Sequence, residues 1–217
     1  LFRSGLATDF RGSLSTYILT PESDLESMTY RGNASVAGPL AEGLGFRVYG
    51  NWSKTTGDDP RINAEAAEAP DGTVPPGGRE GVENRDVNGL LRWQVAPGHR
   101  LDLTAAYSRQ GNEYQGEYRT SGGATSPIVQ QLIGEETNVM RRTTLGGSYD
   151  GLFDFGTFEA LLQFEQTKNR RLDEGLAGGG EGTPSSTTQF SEATQRNWYG
   201  QASLNLPFET GIAAHVL

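Results

Sequence analysis

The sequence predicts an all-β protein, an antiparallel up-and-down transmembrane β-barrel, here a partial and open barrel of about eight to nine strands with long extracellular loops. Three observations predict it. Side chains alternate between apolar and polar over run after run, the period-two signature of strands with two unlike faces. Short turns alternate with very long connections, which compact soluble domains rarely carry; outer-membrane barrels carry them as a rule, short towards the periplasm and long towards the exterior. No run approaches the roughly 18 to 20 apolar residues of a spanning helix, whereas a spanning strand needs only about 9 to 11.

The clearest pair of strands lies between Gly78 and Tyr114. Val87, Gly89, Leu91, Trp93 and Val95 share one face and Asn88, Leu90, Arg92 and Gln94 the other. After the turn Ala96-Pro97-Gly98-His99, the row Leu101, Leu103, Ala105 and Tyr107 opposes Arg100, Asp102, Thr104, Ala106 and Ser108. Upstream, a strand is expected from Arg11 to Leu19, ended by Pro21-Glu22-Ser23-Asp24, and another over about 27–37. Pro39 to Gly43 turns the chain into the row Leu44, Phe46, Val48, Gly50 and Trp52. Three long connections are expected, at about 54–81, 111–139 and 169–195. A second hairpin is expected over about 140–168, turning around Asp150 to Asp154, with Phe158, Ala160, Leu162 and Phe164 on one face of its second arm. The last full strand carries Trp198, Gly200, Ala202, Leu204 and Leu206, and Pro207 to Gly211 is expected to turn it into the start of a ninth. Trp52, Trp93, Trp198 and tyrosines at strand ends fit interfacial girdles. A soluble β-sandwich with one buried face would show the same alternation; the three long connections are what favour lipid.

Composition narrows the function. A formal charge of −9 and a pI near 4.8 exclude the basic footprint of a nucleic-acid binder. Apolar residues make up only 35%, lean for a large soluble core but suited to extensive polar surfaces and loops. Without cysteine there are no disulfides and no thiolate metal sites. Neither end shows an initiator Met, a signal segment or a strand that finishes, so residues 1–217 read as one internal piece of a barrel domain. His99 and His215 lie apart, one in a turn and one in a strand, and predict no metal site. The acidic stretch from Asp58-Asp59 to Asp71 lacks calcium-loop spacing, and Gly178 to Gly182 lacks the Lys and hydroxyl of a phosphate loop. Two formal glycosylation sequons, at Asn33 and Asn51, fall within strands. No nucleophile–base set or isolated carboxylate pair appears, so no enzyme is expected.

Several ordered blocks carry a family resemblance. Gly78-Arg79-Glu80-Gly81-Val82, Asp86-Val87-Asn88-Gly89 with Arg92-Trp93, and Tyr107-Ser108-Arg109-Gln110-Gly111-Asn112 with Tyr114 resemble early barrel strands of TonB-dependent ferric enterobactin receptors. The likeness continues through Gly134 to Asn138 and resumes over Thr167 to Gly182, and spans roughly residues 28–206. Residues 1–10 and Ser121 to Leu132 depart from the pattern. The resemblance implies a 22-stranded outer-membrane barrel around an N-terminal plug, importing an iron-loaded catecholate siderophore with energy delivered by the TonB complex through that plug. It implies outer-membrane lipid and a ferric siderophore as partners, and no cofactor, since the chelator itself holds the iron.

A ferric tris-catecholate is a compact trianion with aromatic faces, so its receptor needs cations and rings rather than iron ligands. By the family's pattern Tyr114, Arg142 and Arg171 stand where ligand-contacting aromatic and basic residues are expected, and Lys168 also matches a basic position. Arg170 lies among them, and Arg141 stands where a Tyr is expected. Arg141 and Arg142 enter one strand as Lys168, Arg170 and Arg171 leave its hairpin partner, so the two groups should converge. The plainer alternative pairs these charges with Glu135, Glu136, Asp173 and Glu174 at the loop bases. Two other functions fit an alternating sheet: a soluble or surface-displayed binding module such as an adhesin, and a passive porin without a plug.

Overall fold

The computed structural model describes residues 9–59, 80–114, 127–132, 134–172, 186–210 and 213–216. Eight strands form one sheet in sequence order: β1 (Arg11–Leu19), β2 (Thr29–Ala41), β3 (Leu44–Thr55), β4 (Gly81–Ala96), β5 (His99–Glu113), β6 (Glu136–Phe153), β7 (Gly156–Leu172) and β8 (Phe190–Asn205). Every neighbouring pair is antiparallel, the up-and-down topology that alternation and short turns dictate. Strands β9 (Pro207–Thr210) and β10 (Ala213–Val216) pair only with each other. No helix among the described residues is long and apolar enough to cross a membrane, which does not bear on crossing by strands.

Register holds the apolar rows together. Val48, Gly89, Ala105, Leu145, Phe164 and Trp198 lie side by side across β3 to β8, as do Phe46, Leu91, Leu103, Gly147, Leu162 and Gly200. A slip of one residue would send a whole row to the other face, so this agreement over six strands specifies the sheet strongly. Nothing among the described residues packs on these rows: Leu145, Leu162 and Trp198 are 50%, 56% and 70% exposed. The face is a surface waiting for an apolar medium, not the inner layer of a sandwich.

The turns at one end are tight. Gly43 and Gly98 adopt φ of 71° and 78°, in the left-handed region that a residue with a Cβ pays to enter. Pro97 fixes the φ before Gly98, the preference of a type II turn. At the opposite end the connections are long. Residues 81–86, 109–113, 136–139, 169–172 and 190–195 extend the strands, so the second and third connections begin later and end earlier than the composition suggests. Their polar side chains do not oppose strand formation, because backbone pairing and alternation suffice.

Four other expectations change. Pro39 to Ala41 belong to β2, so the turn into β3 is only Glu42-Gly43. The second hairpin turns at Asp154-Phe155, at the far end of the expected Asp150 to Asp154, because Asp150 to Phe153 pair within the sheet. Gly151 is needed there as a gap: a Cβ would lie 2.7 Å from Tyr149 Oη and 2.8 Å from Phe153 Cε2, whose rings fill that space. The second connection contains a short helix, α1 (Pro127–Leu132). Pro207 to Thr210 is a strand rather than part of a turn. The Gly178 to Gly182 run and most of the acidic first connection lie outside the described residues.

Candidate functional site

Each strand divides its side chains between the apolar face and a polar one, and the polar face carries the hydrogen-bonding chemistry. Asn51 donates to Asp86 at 2.9 Å and Tyr49 to Asn33 at 3.2 Å, each across a strand pair. Near the tight turns Arg92 grips Asp102 with two donors, Nε to Oδ1 at 2.8 Å and Nη2 to Oδ2 at 2.6 Å. Arg100 lies 3.8 Å from the same carboxylate and pairs with Asp150 on β6. This alternating cation–anion ladder cross-links β4, β5 and β6 on one face, and the side chains of Arg92 and Asp102 are only 14% and 12% exposed. Sequence reading missed it, although Arg92, Arg100 and Asp102 all stand in the polar rows.

The five candidate ligand residues do not share a face. Arg142 is on the polar face of β6, opposite Ser108 and Thr167, with its Nε 3.9 Å from Glu165. Arg171 is on the same face of β7, opposite Asn138 and about 13 Å further towards the loops. Its carbonyl accepts a hydrogen bond from Ser191 Oγ at 3.4 Å. Beside Arg142, a shallow recess on this face is lined by Gln163, Glu165, Asn197 and Tyr199. Lys168 and Arg170 have the opposite parity and lie with Phe164 and Leu162 on the apolar face. Lys168 stands directly opposite Arg141, and Arg170 sits 3.6 Å above the Phe190 ring and 3.6 Å from Glu192.

Tyr114 is buried, 5% exposed, in a small cluster with Leu132 of α1 and Leu172, against which Ile128 and Phe190 pack. Its backbone is tied to Glu135 and Gly134 at 2.8 Å on both sides. Its ring packs within this cluster at the base of the second connection. The basic groups of β6 and β7 do meet, as their hairpin demands, but the two-residue period splits them: Arg142 and Arg171 inward, Arg141, Lys168 and Arg170 outward. Of the carboxylates expected to neutralise them, Glu136 pairs with Arg109 instead. Asp173 and Glu174 lie outside the described residues. No group of three or more potential metal ligands occurs among the described residues.

An up-and-down sheet with an exposed apolar face, a hydrogen-bonded polar face, tight turns at one end and long connections at the other is a segment of transmembrane β-barrel wall. Comparison with known proteins places that wall. The chain is 42% identical over 205 residues to the ferric enterobactin receptor of Pseudomonas aeruginosa, covering 92% of the chain and 27% of the relative. It is 34% identical over 206 residues to a probable TonB-dependent siderophore receptor, PirA, of Acinetobacter baumannii, covering 94% and 26%. A solved structure of a single-residue mutant of the Pseudomonas aeruginosa ferric enterobactin receptor PfeA, in complex with enterobactin, superposes with a TM-score of 0.79 at 40% identity, over 96% of this chain and 30% of that one. No family model matches the chain. The chain is similar, in sequence and in fold, to part of the barrel of TonB-dependent siderophore receptors. It spans about a quarter of the length of the curated relatives it matches. Those relatives are receptors rather than enzymes.

Proposed function

We propose that this chain is part of an outer-membrane receptor that binds a ferric catecholate siderophore and imports it with energy from the TonB complex. Transduction to TonB belongs to parts of the receptor outside these residues. The observation that carries the reading is the name shared by the relatives, ferric enterobactin receptor, at 41% and 42% identity over nine-tenths of the chain. The polar face supports it independently. Arg142 and Arg171 present cations to the lumen in the loop-side half of the barrel, where a trianion entering from outside arrives.

Arg142 stands beside Glu165 at 3.9 Å, a loose pair that an arriving catecholate oxygen can outcompete. Guanidinium groups suit this role because they stay charged, stack on aromatic faces and fork onto paired oxygens. Tyr114 contributes by holding the second connection, and Lys168 and Arg170 lie behind the wall.

The test uses the full-length receptor in cells lacking other catecholate receptors, reading uptake of radiolabelled ferric enterobactin and its affinity. Arg142→Glu with Arg171→Glu should weaken binding by about tenfold or more, as loss of a charged hydrogen bond of about 1.5–3 kcal/mol implies. Unchanged affinity would remove these residues from the site. Absence of ferric catecholate uptake by the unaltered receptor would remove the function.

A further inference from the structure

We propose that the loop-side border of the apolar face is a binding band for phosphate-bearing lipid headgroups of the outer leaflet. The inference rests on the reading of this sheet as a membrane-spanning wall. Every strand from β3 to β8 places a cation on the loop-side part of the apolar face, beyond the broad exposed apolar rows. Lys54 follows Trp52, Arg85 precedes Val87, Arg109 follows Tyr107, and Arg196 precedes Trp198. On β6 and β7, Arg141 and Lys168 lie one polar residue beyond Leu145 and Phe164. At the tight-turn end the same face finishes on Trp93, Leu101, Tyr149, Phe158 and Leu204, without a Lys or Arg. A solvated face would scatter its cations over both ends.

The depth fits a headgroup. Along β6, about ten residues separate Gly151 at the turn end from Arg141, roughly 33 Å of strand and about 25 Å of depth at a tilt near 40°. That is about the height of the apolar band of an outer-membrane barrel. The border also descends across the sheet. The aromatic residues nearest the cations step down: Tyr30 of β2 is level with Lys54, Trp52 of β3 with Arg85, and Phe164 and Trp198 of β7 and β8 with each other two rows lower, the Leu172 and Phe190 pair of the buried cluster standing above the cations. Tilted strands require such a stagger if the border is to lie flat in a membrane.

Three of these cations are neutralised within the protein: Lys54 by Glu113 at 3.0 Å, Arg85 by Glu83 at 2.7 Å, and Arg109 by Glu136. The other three are not. Arg141, Lys168 and Arg196, on consecutive strands, are exposed and have no carboxylate within ion-pair reach among the described residues. Arg141 and Lys168 face each other directly in register, a like-charge pairing that destabilises a sheet unless an anion lies between them. Arg196 leans towards Lys168's strand, its Nε donating to Gln166 at 3.1 Å. A phosphate on a lipid whose acyl chains lie along Leu145, Phe164 and Trp198 meets two guanidinium forks and an ammonium. Free inorganic phosphate would gain no such apolar support.

The experiment uses the full-length receptor in phosphatidylcholine nanodiscs containing either diphosphorylated lipid A or its phosphate-free counterpart. Glycolipid retained through detergent exchange is counted by native mass spectrometry. The unaltered receptor should retain the phosphorylated form at least about tenfold more than the phosphate-free form, and Arg141→Gln, Lys168→Gln and Arg196→Gln together should abolish that preference. Ferric enterobactin affinity of the triple variant should be unchanged, because these side chains lie behind the wall. Equal retention of the two glycolipids by the unaltered receptor overturns the proposal without recourse to any variant. So does a triple variant that keeps the preference, or one that loses siderophore affinity instead. A receptor that fails to enter the nanodiscs overturns both the band and the barrel reading, a result distinct from the other three.

Discussion

Gly98 and Gly151 show how little the type of a residue says about its task until its backbone and neighbours are known. Gly98 is a turn residue by conformation, with φ of 78°, and a Cβ there would come within 3.1 Å of Leu152 Cβ. Gly98→Val should destabilise the folded receptor by about 1–2 kcal/mol, the cost of holding a side chain in the left-handed region. The measurement is the temperature at which the barrel loses its heat-modifiable gel mobility. Gly151 has no such conformational need; it leaves room for the rings of Tyr149 and Phe153. Asp150-Gly151 looks like a turn in sequence, yet Asp150 instead receives Arg100 across the sheet. A local signal lost there to side-chain packing and a cross-strand ion pair.

At the scale of the strand, the ladder and the two faces make separate predictions. Asp102→Ala removes the two-donor grip on the part-buried Arg92 and the carboxylate shared with Arg100, so it should cost about 3 kcal/mol in the full receptor. Arg92→Met combined with Asp102→Leu should recover much of that loss, because two neutral apolar side chains leave no buried charge unpaired. Denaturant titration of the reconstituted barrel reads both. The faces are separated by neighbouring residues of β6. Leu145→Arg places a charge near the middle of the lipid-facing side and should cost about 2–4 kcal/mol, whereas Thr144→Arg enters the wet side and should be tolerated. Equal effects of the two in a membrane folding assay would refute the assignment of faces.

For the whole molecule, the governing fact is that the sheet is open. β1 and β8 each pair on one side only among the described residues, and both edges carry unsatisfied backbone groups. A membrane tolerates no such edge, so the 217-residue chain by itself should fail to insert into lipid vesicles and should aggregate, while the full-length receptor inserts. Protease protection of vesicle-bound protein distinguishes the two. The same openness leaves the sheet without an inner layer: its one described hydrophobic cluster, around Tyr114, Leu132 and Leu172, lies beneath α1. What stabilises the wall is backbone pairing, cross-strand polar contacts such as Arg92–Asp102, and lipid against the apolar rows.

The sequence by itself determined the class of fold, the positions of the eight principal strands and the division of each into unlike faces, because a strand's side chains alternate whatever lies beside it. It also held, in that same period, the separation of Arg142 and Arg171 from Arg141, Lys168 and Arg170. Grouping the five by nearness along the chain concealed it. Only the tertiary structure decided which rows stand level, that Asp154-Phe155 makes the turn, that Tyr114 is walled in under a helix, and that Glu136 belongs to Arg109. Those outcomes depend on register and packing between segments far apart in sequence, and the alternation within one strand carries no information about its neighbour's offset.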